Sequence, residues 1–437
     1  MIKINYEFYK IPNGIEVLLI PNLETYSVTI KTYINSGSAL ENKDEYGITH
    51  FIEHLCASAT EKWPTKELLN ETIEFNGGEA NAWTSKENLS YYINVPYTKI
   101  EFGIDYILQV LFHPKVDKNS IEKEKIIILD ELSKNINNCG YRNHVYTTNA
   151  TTTMDSGYVH EIIGDDKSIK SFNYEAVSKK IKELHDPSKL QILIVGNFDV
   201  QKTKTLINKY FDNVISQNAP VTFPKESLKK SFINSQFDKE TRLIMNTLIF
   251  NTPGDDKIST KQDLLFDIIV KIIAGPNSSR LNKRLREKES LLYYISCSDF
   301  SYKPFGMIGV YYESIPNQFE KTFAIVIEEL EKLSKNGVEK DELNHITEYV
   351  TNRNLVYYDN IHSYSKLISS TLLNDKEFYE LEEVNKVIKD FTVDEVNENI
   401  RKYINLSEMN SVAYGKTEDN TTEVMKKIIN AVCKLRL

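Results

Sequence analysis

The run His50-Phe51-Ile52-Glu53-His54 places two imidazoles and one carboxylate within five positions. Coiled as an α-helix at about 100° per residue, it puts His54 about 40° round from His50 and Glu53 about 60° to the other side, so all three share one face. Neutral imidazole is a preferred zinc ligand, and two histidines four apart can hold one ion from a single helix. The glutamate between them stays free to handle a proton, a division of labour that suits hydrolysis. Two histidines and a water leave a tetrahedral zinc one protein ligand short. Without that ligand, histidines in an apolar run read as core residues with satisfied ring nitrogens.

A candidate third ligand lies in Glu124-Lys-Ile-Ile-Ile-Leu-Asp-Glu131, within a helical pattern from Ser120 to about Asn135. Seven apart, Glu124 and Glu131 occupy one helix face. One could ligate and the other support, because a metal-bound histidine usually donates its second ring N–H to a neighbouring acceptor. The competing reading is a solvated acidic face. Cys56 follows His54 by two positions, but a free cysteine reads first as a small buried apolar residue, and it stays outside the candidate site.

Composition narrows the function class. A formal charge of −9 spread over 437 residues, with no long acidic tail, argues against nucleic-acid binding. Cys56, Cys139, Cys297 and Cys433 lie far apart without a CxxC pair, which suggests neither a disulfide scaffold nor a thiolate metal site and points to a reducing cytoplasm. The N-terminal stretch has no apolar signal core, and no segment reaches the roughly 18 apolar residues that span a bilayer, so no membrane association is expected.

The elements that must position the motif follow from periodicity. Ile15–Ile20 and Ser27–Ile34 read as strands joined by a polar turn, and an antiparallel pair is expected. Residues 35–44 read as loop and Gly47 to about Ala59 as the motif helix. A helix from Thr65, as N-cap, to about Phe75 stops at Gly77-Gly78. Strands are expected over Glu79–Trp83 and Leu89–Val95, helices over Thr98–Phe112 and Glu175–Leu184, and a buried strand over Leu190–Val195. From Asp212 to about Ser235 the pattern loosens around Pro220 and Pro224, which divides the chain into 1–213, a linker 214–235, and 236–437.

Beyond the linker the order repeats. Leu243–Phe250 matches Ser27–Ile34, Lys261–Ala274 takes the place of the motif helix, Phe305–Glu313 resembles Leu89–Val95, and Phe319–Leu333 resembles Thr98–Phe112. A duplication at a spacing of roughly 210 residues is the simplest account, each half a sheet covered by helices. The second half has no HxxEH; His345 and His362 read as isolated surface or packing residues.

The run Lys10-Ile-Pro-Asn-Gly-Ile-Glu-Val, the loop Ser36-Gly-Ser, the HxxEH order, Gly77-Gly-Glu-Ala-Asn-Ala82 with Thr84 and Tyr91, and Glu124 through Glu131 resemble the N-terminal half of the insulinase/pitrilysin family of inverzincin zinc peptidases. Ser279-Arg280-Leu281 and Leu285-Arg-Glu-Lys-Glu-Ser-Leu-Leu-Tyr293 are similar to the arginine-to-tyrosine signature of that family's C-terminal half. The resemblance covers nearly the whole chain, whose size resembles the processing-peptidase branch.

That resemblance implies an α+β fold of two homologous domains, each a mainly antiparallel sheet covered by helices, forming one half of a clamshell. It implies Zn2+ held by His50, His54 and Glu131, with Glu53 as general base and Glu124 behind the metal. Asn81 and Ala82 match a strand edge that pairs with a peptide substrate, and Arg286 and Tyr293 match the pair that binds near the scissile bond and stabilises the oxyanion. The seven-residue spacing to Tyr293 favours Arg286 over Arg280, while Tyr294 competes with Tyr293. Ser290 stands where the family has glycine, and Asp130 precedes Glu131. The implied activity is endopeptidase cleavage of short unfolded peptides in a closed dimeric chamber. A homodimer is expected, with Arg286 and Tyr293 serving the partner's zinc; a heterodimer with a related chain is the other assembly. The competing function is a non-catalytic scaffold.

Overall fold

Alternate residues of Ser27–Ile34 are buried, with Val28, Ile30, Thr32 and Ile34 on one face and Thr29, Lys31 and Tyr33 on the other, as the two-residue period of a strand requires. In the computed structural model, which describes residues 5–153, 157–218, 221–225, 227–372 and 376–434, this strand is β3 of a six-stranded sheet. The others are β1 (Glu7–Lys10), β2 (Glu16–Pro21), β4 (Glu79–Thr84), β5 (Leu89–Pro96) and β6 (Leu190–Gly196), in the order β1-β2-β6-β3-β5-β4.

The expected pairing of β2 with β3 does not form. β6 lies between them, parallel to β2 and antiparallel to β3. The reason is burial: almost every residue of β6 is inaccessible, and a continuous apolar run is at home only in a central, covered strand. The polar turn after β2 is stitched to the end of β6, Asn22 N–H donating to the Gly196 carbonyl (2.7 Å) and Asn197 N–H to that of Ser27 (3.0 Å). It therefore bridges across β6 instead of closing a hairpin.

The second sheet holds β7 (Ile233–Phe237), β8 (Ile244–Pro253), β9 (Ile295–Ser301), β10 (Phe305–Ser314) and β11 (Asn410–Gly415), in the order β7-β11-β8-β10-β9. Its one parallel pair is β7 with β11, and every other pairing is antiparallel. Taken strand by strand, this is the first sheet without β1, so the duplication holds at the level of topology and the chain is α+β. β7 begins inside the stretch read as linker, where Leu228 also bridges to Thr152. Residues 219–220 and 226 of that stretch, Pro220 among them, lie outside the described residues.

Five helices of the first half matter for the site: α1 (Ile48–Ser58), α2 (Lys66–Phe75), α3 (Ile100–Phe112), α4 (Lys118–Asn137) and α5 (Cys139–Thr151). Thr65 caps α2 by accepting from Leu68 N–H. Phe51, Ile52 and Leu55 of α1 and Ile104, Ile107 and Leu111 of α3 pack in one core with Ile30, Ile93, Ile192 and Ile194 of the sheet. The chain forms two compact units, one from residues up to 135 with 156–224 and 359–374, the other from 136–155, 225–358 and 375–437. α5 thus belongs to the second unit, where Arg142 pairs with Asp238 at 2.6 Å. The helix Ile361–Leu372 belongs to the first and packs on β6. Neither placement, nor β1, is expected from periodicity. Among the described residues no helix is long and apolar enough to cross a membrane.

Tyr91 is fully buried, and its hydroxyl meets His185 Nε2 at 3.3 Å while His185 Nδ1–H donates to the Leu111 carbonyl at 2.7 Å. Burial holds this imidazole neutral, its pKa brought down to about 4. An unfolded chain binds that proton near pH 6.5, so the unfolded state gains protons first as pH falls. The stability His185 contributes is complete above about pH 6.5 and is lost as the pH falls towards 4. Urea midpoints should decline from pH 7 to 4.5, and His185→Gln should flatten that slope; an unchanged slope would show that His185 is not the group responsible.

Candidate metal centre

α1 begins at a sharp turn. Gly47 has φ +90°, and a Cβ there would run into the Ile163 carbonyl oxygen. Ahead of the helix the buried Glu41 carboxylate accepts the N–H groups of Gly47 (2.7 Å) and Thr49 (2.8 Å), placing a negative charge at the positive end of the helix dipole. His160 Nε2 lies 2.9 Å from the same carboxylate, and Tyr46 stacks on the His160 ring at 3.9 Å. These contacts fix how α1 is rotated about its axis. Sequence reasoning missed Glu41, because it lies six residues before the cap, outside the usual capping-box spacing.

On α1 the partly buried His50 and His54 rings sit 4.6 Å apart. Across from them α4 brings Glu131, with Oε1 4.0 Å from His50 Nε2 and Oε2 3.8 Å from His54 Nε2. One donor atom from each of the three lies within 4.8 Å of the others. Zinc–nitrogen and zinc–oxygen bonds of about 2.0–2.2 Å imply donor separations of roughly 3.3–3.5 Å at tetrahedral angles. The two carboxylate–imidazole distances exceed that by about half an ångström and no donor pair exceeds it by more than about 1.5 Å, a gap that side-chain rotation can close, so the residues fit a divalent metal.

Of the two glutamates on α4, Glu131 joins the donors and Glu124 supports them. His54 Nδ1–H donates to Glu124 Oε1 at 2.8 Å, and Glu124 is buried. A neutral His54 with its proton on Nδ1 turns an Nε2 lone pair towards Glu131; burial opposes the charged form, but the bond and charge of Glu124 outweigh it and raise the pKa of this imidazole. Burial, and then the neighbouring His54, hold the pKa of His50 down to about 3, so its imidazole is neutral and free to ligate. Glu53 stands beside the triangle and outside it. Burial pushes its carboxyl up, and a hydrogen bond from Thr84 Oγ1 to Oε2, 2.5 Å long, works the other way. Cys56 is buried in the core, its thiol pushed up to about 12.

Asn81 and Ala82 lie on β4, which among the described residues pairs only with β5 and so is an edge. Ala82 N–H donates to Asn81 Oδ1 at 2.8 Å. It therefore points to the open side, and by strand alternation so do the main-chain groups of Ala80 and Thr84. Thr84 then ties the end of this edge to Glu53, a role that its residue type alone does not announce.

In the second unit, Arg280 is held by Glu342 through two bonds of 2.7 and 2.6 Å and by the Gly337 carbonyl at 2.7 Å, a packing role. Arg286 is exposed, with its guanidinium carbon 5.8 Å from the ring centre of Tyr293, which is 91% exposed. Tyr294 is exposed as well. Arg286 sits in a π-helical turn, Asn282–Lys288, a geometry frequent at functional sites. Ser290 has φ +52°, so it adopts, at a conformational cost, the left-handed backbone that a glycine takes freely. His345 is exposed, with Nε2 2.9 Å from Ser278 Oγ, and His362 is exposed too.

Residues 16–162 match the family model described as insulinase, peptidase family M16, and residues 171–349 match the model described as peptidase M16 inactive domain. An uncharacterised zinc protease of Bacillus subtilis, YmxG, is 27% identical over 338 residues, 77% of this chain and 80% of its own. The mitochondrial-processing peptidase subunit beta of Dictyostelium discoideum is 25% identical over 344 residues, 76% of this chain and 72% of its own. Among solved structures, a protease from Helicobacter pylori superposes with a TM-score of 0.84 at 19% identity, covering 94% of this chain and all of that one. The first half of the periplasmic protease PqqL from Escherichia coli gives 0.82 at 16% identity, covering 99% and 97%.

Loss of the carboxylate behind His54 should loosen the metal without removing a donor. Glu124→Gln is expected to weaken zinc binding by about 10- to 100-fold, measured by competition with a chromogenic chelator. Cys56→Ala should leave that affinity unchanged, and a loss there would place the thiol among the ligands.

Proposed function

Because this chain belongs to the insulinase family, peptidase family M16, and gathers His50, His54 and Glu131 about one point, we propose that it is a zinc-dependent endopeptidase. Its substrates are short unfolded peptides, cut inside the closed chamber of a dimer. The observation that carries this reading is the Glu131 carboxylate facing both imidazole Nε2 atoms at 4.0 and 3.8 Å. The half described as inactive is the second, which among the described residues has no donor triangle. A non-catalytic scaffold is the weaker reading, since it has no chemical reason to keep His50, His54, Glu131 and Glu53 together.

A zinc ion held by His50, His54 and Glu131 would supply Lewis-acid polarisation of the scissile carbonyl and would lower the pKa of the attacking water towards neutral pH. Glu53, oriented by Thr84, takes the water proton and passes it to the leaving nitrogen. The peptide joins the open side of β4 as an added strand, and Ala82 N–H exchanges Asn81 Oδ1 for a substrate carbonyl. Arg286 and Tyr293 bind near the scissile bond and stabilise the oxyanion, each such donor contributing about 3 kcal/mol. In a homodimer these two come from one copy and the metal from the other. A heterodimer with a related chain would use the same exchange.

Glu53→Gln should keep its zinc and lose cleavage of a quenched peptide. Tyr293→Phe should lower kcat by about 100-fold with an unchanged melting temperature, because the ring is almost wholly exposed. Mixing these two inactive variants should restore cleavage, since one site of the mixed dimer has both a native Glu53 and a native Tyr293. A wild-type protein that holds zinc and cuts nothing in a diverse peptide library would instead support the scaffold.

A further inference from the structure

We propose that the face of the first sheet turned away from α1 carries a subsite for a carboxylate of the bound peptide, built on Lys31 beside Trp83. The choice of a peptide as occupant rests on the peptidase reading; the charge argument does not.

Lys31 belongs to the face of β3 opposite the buried Val28, Ile30 and Thr32. The register sets Lys31 against Tyr92 of β5, and Tyr92 against Asn81 of β4. Its ammonium reaches across β5 to lie 4.2 Å from the ring centre of Trp83 and 4.6 Å from that of Tyr33. Among the described residues it has no carboxylate partner. The charge that acts on it is Lys366, exposed on the helix Ile361–Leu372. Burial first, and Lys366 second, bring the pKa of Lys31 down to about 8. A half-buried ammonium facing a second cation is costly unless an anion arrives, because desolvation and like-charge repulsion both oppose the charged form. Two aromatic faces soften that cost without neutralising the charge.

The position of Trp83 says which anion. It lies between Ala82 and Thr84 on the edge strand, so a peptide added to that edge runs directly beside it. Side chains of an added strand alternate between faces, and directly opposed or diagonal neighbours come within about 5–8 Å. Every second peptide side chain therefore projects onto the face occupied by Trp83 and Asn81, with the Lys31 ammonium behind them. An acidic side chain there reaches the cation, and so does the carboxyl terminus of a short peptide. An apolar side chain meets only the indole.

The test uses zinc-loaded Glu53→Gln protein, so that peptides bind without turnover, and reads affinity by fluorescence anisotropy. The probes are dye-labelled, C-terminally amidated neutral peptides, a set in which one Glu replaces Gln at successive positions, and the neutral peptide with a free carboxyl terminus. Glu at one position, or at positions two apart, should tighten binding by about fivefold or more, a factor that starts at the upper end of what an exposed charge pair contributes. If the free terminus tightens binding instead, the carboxylate recognised is that of the peptide end. Lys31→Met, with a flexible apolar chain of similar length, should abolish the preference and leave neutral peptides bound as before, while Lys31→Arg should keep it. Lys366→Met, on an exposed surface, should weaken the same preference even if Lys31→Met fails to fold. Equal affinity for all probes, no peptide binding at all, a preference that survives Lys31→Met, or one left undiminished by Lys366→Met overturns the proposal. Failure of the peptidase reading shows separately, as zinc-loaded wild type that cuts no peptide yet still binds the acidic ones more tightly.

Discussion

The rotation of α1 about its own axis is the constraint on which the site depends. This helix must bury Phe51, Ile52 and Leu55 against the sheet and present His50, Glu53 and His54 on the remaining arc. A slip of one residue turns every side chain by about 100°, which would exchange a phenylalanine for a ligand. Apolar burial alone tolerates some rolling of a helix on a sheet. The Glu41 carboxylate removes that freedom by gripping two N–H groups at the helix start, while Glu124 holds the far end of the motif through His54. The site is therefore preorganised by two buried carboxylates, neither of which joins the donor triangle.

Duplication places a second helix in the same relation to a second edge strand, and the comparison shows how little separates a candidate metal site from an ordinary surface. The helix Thr260–Ala274 packs against β9 as α1 packs against β4. Where α1 offers imidazoles, that helix offers Asp263 and Asp267, held by Lys376 at 2.8 Å and Lys271 at 2.9 Å. Carboxylates neutralised by lysines on the protein itself need no cation. The topology is shared, and the chemistry follows from which side chains occupy one helix face.

Much of this was readable from spacing. The four-residue interval of His50 and His54 and the seven-residue interval of Glu124 and Glu131 each give a shared face, because helix geometry is local. Spacing alone left open which glutamate could ligate; the family resemblance implied Glu131, and in the fold it is Glu131 that faces both imidazoles. The strands were readable too, from alternation in Ser27–Ile34 and from the apolar run at Leu190–Val195. The place of β6 between β2 and β3 was not, since pairing across about 160 residues is set by which strand can be covered on both faces, not by adjacency in sequence. Glu41 and Lys31, and the contact of Thr84 with Glu53, escaped for the same reason: each acts through a partner brought close only by folding. The exchange of α5 and Ile361–Leu372 between units also leaves no periodic trace.

On the peptidase reading, β4 would join recognition to chemistry more closely than its six residues suggest. If its open edge takes a peptide as proposed, the main-chain groups there bind any backbone alike, and discrimination has to come from what lies on its two faces. On one, Thr84 holds Glu53 beside the donor triangle; on the other, Trp83 meets the ammonium of Lys31. A peptide drawn alongside this strand would be read by charge on the second face and presented for proton transfer on the first, in a register set by the same ladder of hydrogen bonds. Side-chain selection and placement of the scissile bond then cannot be adjusted independently. A change in which residue fills the charged face moves the bond along the strand in steps of two residues, since only every second side chain points there.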